Sequence, residues 1–299
     1  MPSAKTLFVN SAFGPSLEKT ILLAQQPDER IDSNGDPLPN VRSFVLGLRG
    51  RKAVLLEERP LPLVNSWYSA SGVAYIASNE RSTLQTWQSG SWAEEPFSPK
   101  PVDFIRYVFA IAGDSPHDDT VFLMARKRIY VRVAGKWRNF RAPGEGLPLQ
   151  TDGTRADQVF IGGSTLSMWD GNQLVELESP EDDLMNRLAV SADDRLVGGN
   201  QYVNISNADG TWSRVDTPTL GMFAYARFRD SVYALSDKMG LLKVYPGKVE
   251  VLSSPIDPMG LASVGDGLIA YGTDGVLAYD GKQCFDVQIP ACEVGKLPV

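Results

Sequence analysis

A chain of 299 residues with 43% hydrophobic and 22% charged residues can bury a full core without disulfide staples, and its composition excludes a disordered polymer. A net charge of −7 and a pI near 4.9 argue against nucleic acid as a partner, because phosphate binding wants a basic surface. No apolar run reaches the length of a membrane span, and the opening MPSAKTLFVNSAFG lacks a signal-type hydrophobic region, so the expectation is a cytoplasmic protein with no membrane partner.

In chain order, the first stretch predicts four short strands: TLFVN from Thr6, TILLAQ from Thr20, SFVLGL from Ser43 and KAVLLE from Lys52. Between the second and third lies a long connection, Pro27 to Pro39. Within it Asp32, Asn34 and Asp36 alternate oxygen ligands as a calcium loop does, although no glutamate follows at the spacing of an EF-hand. A polar, turn-rich loop is the plainer reading, so calcium stands as the one cofactor candidate.

Further along, a register emerges. An aspartate opens a strand at Asp119 (TVFLMA), Asp157 (QVFIGG), Asp194 (RLVGGN), Asp230 (SVYALS) and Asp266 (GLIAYG), at intervals of 38, 37, 36 and 36 residues. A second marker is a turn glycine ahead of a new strand, at Gly50, Gly90, Gly135, Gly171, Gly210, Gly247 and Gly281. Between the markers runs a third strand, ending at Trp87, Val133, Trp169, Ile205, Tyr245 and Tyr279. Each unit therefore reads as four strands, a to d, with tight c–d turns such as Trp169-Asp170-Gly171-Asn172 and Tyr279-Asp280-Gly281-Lys282. Seven units in this chain average about 43 residues, the length of a four-stranded blade.

One such sheet cannot bury both faces, whereas sheets stacked radially can. The pattern resembles the β-propeller superfamily over nearly the whole chain and implies an all-β, seven-bladed propeller forming a single domain over residues 1–299. Six blades with the N-terminal segment as a cap is the alternative. The outer strand of the last blade is placed near Cys284 to Ile289, with ring closure by blade packing and no N-terminal strand completing that blade. Helical periodicity is almost absent, which sets aside an α-solenoid. Trp169-Asp170 looks like a WD-repeat dipeptide, but the other blades lack it and no Gly-His pair opens them. Kelch-type double glycines, Gly162-Gly163 and Gly198-Gly199, occur in strand b of two blades only. The resemblance thus extends to the architecture and to no subfamily, and architecture does not give function.

Catalytic signatures are scarce. The single histidine, His117, falls in the a–b turn of the third blade, on the face opposite the usual propeller site, and reads as a solvated turn residue. There is no Gly-x-Ser-x-Gly elbow, phosphate loop or metal-binding histidine pair. Cys284 and Cys292 read as free thiols, with a disulfide tying down the last strand as the alternative. In propellers the b–c and d–a loops share one face, which here carries the acidic d–a segment Glu181, Asp182 and Asp183 after Ser179-Pro180. Residues expected ahead of each a strand, around the channel mouth, are Trp67, Tyr68, Asp103, Asp152, Asn186 and Phe223, together with Met222 and Met259. The leading reading is a non-catalytic protein–protein interaction module whose acidic face takes a partner with a basic surface. A bacterial immunity or chaperone-type protein that occludes a basic toxin or enzyme is one form of it. The other reading is a carboxylate-based, calcium-dependent hydrolase or lyase acting on a sugar or lactone at the channel mouth.

Overall fold

The chain was described from a computed structural model that covers residues 5–25, 42–78, 82–100, 102, 105–144, 149–217, 221–273 and 275–292. Seven antiparallel four-stranded sheets follow one another, each in simple a-b-c-d order. Blade 1 is β2 (Phe8–Phe13), β3 (Ile21–Gln25), β4 (Ser43–Arg49) and β5 (Lys52–Arg59), so the N-terminal segment is a complete blade and no cap. Blade 2 is β6 (Leu63–Tyr68), β7 (Ala74–Ser78), β8 (Thr83–Gln88) and β9 (Ser91–Pro96). Blade 3 is β10 (Ile105–Ile111), β11 (Thr120–Ala125), β12 (Arg128–Val133) and β13 (Lys136–Arg141). Blade 4 is β14 (Gln150–Arg155), β15 (Gln158–Gly162), β16 (Ser167–Trp169) and β17 (Leu174–Glu176). Blade 5 is β18 (Leu188–Val190), β19 (Leu196–Gly198), β20 (Asn204–Ser206) and β21 (Trp212–Arg214). Blade 6 is β22 (Met222–Phe228), β23 (Ser231–Ser236), β24 (Gly240–Tyr245) and β25 (Lys248–Val251). Blade 7 is β26 (Pro258–Val264), β27 (Gly267–Gly272), β28 (Val276–Tyr279) and β29 (Cys284–Val287). Among the described residues no helix is long and apolar enough to cross a membrane.

The radial position of each strand follows from its side chains. The second strands, among them LLA, YIA and VFLM, are apolar on both faces and wholly or almost wholly buried, as a strand between two neighbouring sheets must be. The fourth strands, such as SWAEEP and KWRNFR, are mostly exposed and form the rim. Each sheet alone would leave a greasy face in water, and seven separate apolar clusters, one between each adjacent pair of blades, show how stacking removes it. Trp169, fully buried between blades 3 and 4 among Phe122 and Phe140, is one of these packing residues. All seven c–d turn glycines have positive φ, from 59° at Gly50 to 93° at Gly171, a conformation that the residue's missing Cβ makes cheap.

Blade 7 takes its four strands from residues 258–287, so no N-terminal strand completes it. Packing is nonetheless supplemented by a backbone clasp. Strand β1 (Lys5–Thr6) pairs with β30 (Ala291–Cys292), and Gln288 exchanges hydrogen bonds with Arg51 and Ala53 of the blade 1 rim at 2.8 and 2.9 Å. Cys284 is a free, half-buried thiol whose pKa burial pushes up to about 11, with nearby Asp280 adding to the effect.

Candidate functional site

The a strands line the central channel, and one irregularity recurs in them. Six of the seven carry a register shift, and in five of them it leaves one residue outside the ladder register near the end where the d–a loop enters: Asn10, Val64, Arg106, Phe223 and Met259. A bulge re-aims a side chain without ending the ladder. Repeated around a ring, it sets a collar of non-ladder residues at the mouth. Phe223 and Met259 are 37% and 50% exposed there, unusual for large apolar side chains, and Leu184 in the neighbouring d–a loop is 51% exposed.

Blades 4 and 5 build their part of the collar differently. The double glycines end strands β15 and β19, and a side chain at Gly162 or Gly198 would collide with the backbone carbonyls of Met185 or Arg187. The glycines therefore let the 183–187 segment lie directly on the sheets. Arg187 leaves that segment just before β18, and its Nη1 donates at 3.0 Å to the carbonyl of Leu149, just ahead of the first strand of blade 4. Burial lowers its pKa, and Arg106 pulls the same way while the phenols of Tyr107 and Tyr271 oppose. Tyr271 reaches the channel from a second strand because Gly260 in β26 has no side chain to block its hydroxyl. Burial pushes Tyr271 up to about 12, against the Ser11 hydroxyl and Arg187, and lifts Tyr107 well above the ordinary phenol range.

Deeper in the channel, polar side chains stitch blade to blade. Asn65 accepts from the Val108 amide at 2.9 Å, the Ser11 and Ser66 hydroxyls meet at 2.6 Å, and Gln150 donates to the Tyr225 carbonyl of blade 6. Asp152 accepts from its neighbour Gly153 at 2.8 Å and from Val190 of blade 5 at 2.7 Å. Burial raises its carboxyl to about 6, although the Val190 amide, Arg227 and the Gly153 amide hold it down.

The acidic segment lies on the same face, farther out. Glu181 and Asp182 are exposed and, with Glu178, Asp209, Trp212 and Arg214, line a groove of about 610 Å³ along blade 5. Arg214 sits over the Tyr202 ring at 3.9 Å and reaches Asp182 at 3.3 Å. Asp183 is different: it is buried, and its carboxylate accepts from the amides of Asn200, Gln201 and Tyr202 and from Asn204 Nδ2, all within 3.2 Å. It fixes the b–c loop of blade 5, which removes it from the exposed rim expected of it.

Of the other sequence-based candidates, Asn186 and Phe223 lie at the d–a end of their first strands, the former with a buried Oδ1 that finds no donor among the described residues. Trp67 and Tyr68 do not. They end strand β6, at the opposite rim of the channel, because the strand begins at Leu63; Trp67 packs on Phe109 at 4.5 Å between blades 2 and 3. Asp152 lies within β14 instead of ahead of it. Asp103 and the calcium candidates Asp32, Asn34 and Asp36 lie outside the described residues. Among the described residues no three His, Cys, Asp or Glu side chains gather as metal ligands would. His117 occupies the a–b turn of blade 3, packed where a side chain on Gly135 would stand. Arg106 and Arg187 were missed by sequence reasoning, since neither sits in a charge run or a motif.

No protein-family model and no curated protein sequence matches this chain. Its similarity is to solved propeller structures. Virginiamycin B lyase from Staphylococcus aureus superposes with a TM-score of 0.67 at 12% identity, covering 93% of this chain and 98% of the enzyme. YCF48 bound to D1 peptide gives 0.64 at 15% identity, covering 93% and 94%. The WD40 β-propeller domain of Doa1 gives 0.68 at 9% identity, covering 94% and 96%. At such identities the likeness shows the fold alone. Its neighbours include both a lyase and a propeller with a bound peptide.

Proposed function

We propose that this propeller is a non-catalytic binding module that takes a protein or peptide on the face carrying its b–c and d–a loops. The observation that carries the reading is the collar: bulges in five a strands end on this face and expose Phe223 and Met259 in a ring of polar groups. Exposed apolar anchors surrounded by polar groups are the make-up of an interface centre. The YCF48 complex supports it by analogy, as a propeller of similar shape with a peptide bound. Glu181 and Asp182 form an acidic margin that would steer a partner with a basic patch. Occlusion of a basic toxin or enzyme, an immunity or chaperone-type role, is one form such binding takes.

Photo-crosslinking tests the reading. A benzophenone amino acid at position 223 or 259 should capture one protein from native lysate, and the same probe at Asp230, an exposed turn on the other face, should not. Equal capture at both faces overturns it. A second reading, a carboxylate-dependent lyase or hydrolase, draws on the Asp152 carboxyl near 6 in the channel. Both of its oxygens already accept backbone amides, which ties the group to structure. Turnover of a lactone or sugar substrate that vanishes in Asp152→Asn would favour that reading over binding.

A further inference from the structure

We propose that the groove along blade 5 holds an extended, lysine- or arginine-bearing segment of the partner, paired to the outer edge of β21 as a fifth strand. The inference rests on the reading of the protein as a binding module and names the chemistry of what it binds. The groove owes its shape to the chain between β17, which ends at Glu176, and β18, which begins at Leu188, the longest of the connections between blades. The inner part of that connection lies on the sheets, held by Asp183 and the double glycines. Its outer part, Glu178 to Asp182, stands across from Trp212 and Arg214 and leaves about 610 Å³ between them.

The pairing of β21 leaves its outer edge open beside this groove. Asn207 donates to the Thr211 carbonyl at 2.7 Å and Val215 to the Val203 carbonyl at 2.9 Å, with Ile205 opposite Ser213 between them. Residues 211, 213 and 215 thus direct their main-chain groups inward to β20. By the alternation of an antiparallel ladder, the N–H and C=O of Trp212 and Arg214 point outward. An outward N–H and C=O on every second residue is what an added strand pairs with. Trp212 packs on the apolar cluster between blades 4 and 5, so its face of the sheet, shared with Arg214, is the groove side. Every second side chain of an added strand points to that same face.

Charge fixes the sign of the occupant. Glu178, Glu181, Asp182 and Asp209 line the groove against a single cation, Arg214, which lies over the Tyr202 ring and meets Asp182 at 3.3 Å. An exposed ion pair of this kind is worth little, so an incoming ammonium or guanidinium can replace it. Half-buried Trp212 adds an aromatic surface for the stem of the same side chain. The outer edge of blade 6 also borders a groove, of about 550 Å³, but its lining carries Lys238 and no carboxylate. A basic strand therefore has reason to choose blade 5.

The test titrates full-length protein into a dye-labelled heptapeptide of alternating lysine and valine, read by fluorescence anisotropy. Wild type should bind it at least tenfold more tightly than the glutamate–valine counterpart, and the double variant Glu181→Lys, Asp182→Lys should lose at least tenfold. Both side chains are exposed, so a melting temperature equal to wild type certifies the fold of the variant. Main-chain pairing is read with two peptides N-methylated at alternate residues: the set that faces β21 should abolish binding, and the other set should leave it. Equal affinity for both methylated peptides, or an undiminished affinity in the double variant, overturns the proposal. If the protein alone sediments as a dimer that refuses the peptide, a second copy holds the edge and the proposal fails. Crosslinking at positions 223 and 259 is scored separately: if it persists while the peptide does not bind, the blade 5 groove fails and the binding face stands.

Discussion

The channel mouth and the acidic segment lie on the same face and are joined by a few residues of chain, yet they are assembled in opposite ways. The acidic carboxylates are neighbours in sequence and part company in space. Glu181 faces solvent, Asp182 meets Arg214, and Asp183 turns inward to four donors. The mouth's side chains come from distant parts of the sequence, Phe223 and Met259 delivered by bulges and Arg187 by a segment resting on double glycines. A charge run therefore reports a segment's composition, whereas a site reports which strands end together.

The largest expected effect breaks the acidic segment apart. Asp183→Ala removes the acceptor of four hydrogen bonds, one from a buried and three from part-buried donors, and should cost about 3 kcal/mol in urea unfolding, while Glu181→Ala and Asp182→Ala stay within about 0.5 kcal/mol. Equal losses at all three positions would mean that the segment acts as one unit and that the contrast with the mouth is unfounded.

The next effect contrasts a buried carboxylate inside the channel with those exposed ones. Burial raises the folded Asp152 carboxyl to about 6, against an ordinary aspartate value of 3.8. Its folded pKa is raised, so its contribution to stability is complete below the unfolded value and is lost as pH rises through the folded one. A gap of about two pKa units corresponds to about 3 kcal/mol. The stability of wild type minus that of Asp152→Asn should fall by that order between pH 4 and pH 6.5. Parallel denaturation profiles would show that the channel carboxyl titrates like a surface group.

These contrasts also mark what could be read in advance. The blade repeat was legible because turn chemistry is local: an Asp before the b strands of blades 3 to 7 and a positive-φ glycine before every d strand keep register whatever the rest of the blade does. Blade burial followed, since an apolar run such as Thr120–Ala125 fits a strand between two sheets and little else. The mouth was legible only in part. Phe223 stands at the bulge near the start of β22, whereas Trp67 and Tyr68 end β6 instead of preceding it, because that strand begins at Leu63. Bulges leave no composition signal, and double glycines in only two blades mark neither a subfamily nor, from sequence alone, the loop that rests on them. The place of Arg187 depends on that loop and on a hydrogen bond to the Leu149 carbonyl, neither of which is written in spacing.

A smaller effect probes how a second-strand residue enters the channel at all. In Gly260→Ala the new methyl meets the Tyr271 hydroxyl, so the ring must shift, at about 2 kcal/mol. In a Tyr271→Ala background the same change should cost less than half as much, because the obstruction is gone. Additive losses in this double-mutant cycle would place the clash elsewhere in β26.

The smallest expected effect on stability is the most informative about use. Phe223→Ser and Met259→Ser remove exposed apolar surface without touching a ladder hydrogen bond, since both stand at bulge positions. Unfolding free energy should change by less than about 0.5 kcal/mol for each. Side chains kept for packing lose stability when made polar, whereas side chains kept for a partner lose binding instead. Capture of the crosslinked partner, read with the probe moved to the adjacent Leu184, should therefore fall in the double variant while melting is unchanged. The opposite result, a destabilised protein with undiminished capture, would assign both residues to the core of the ring.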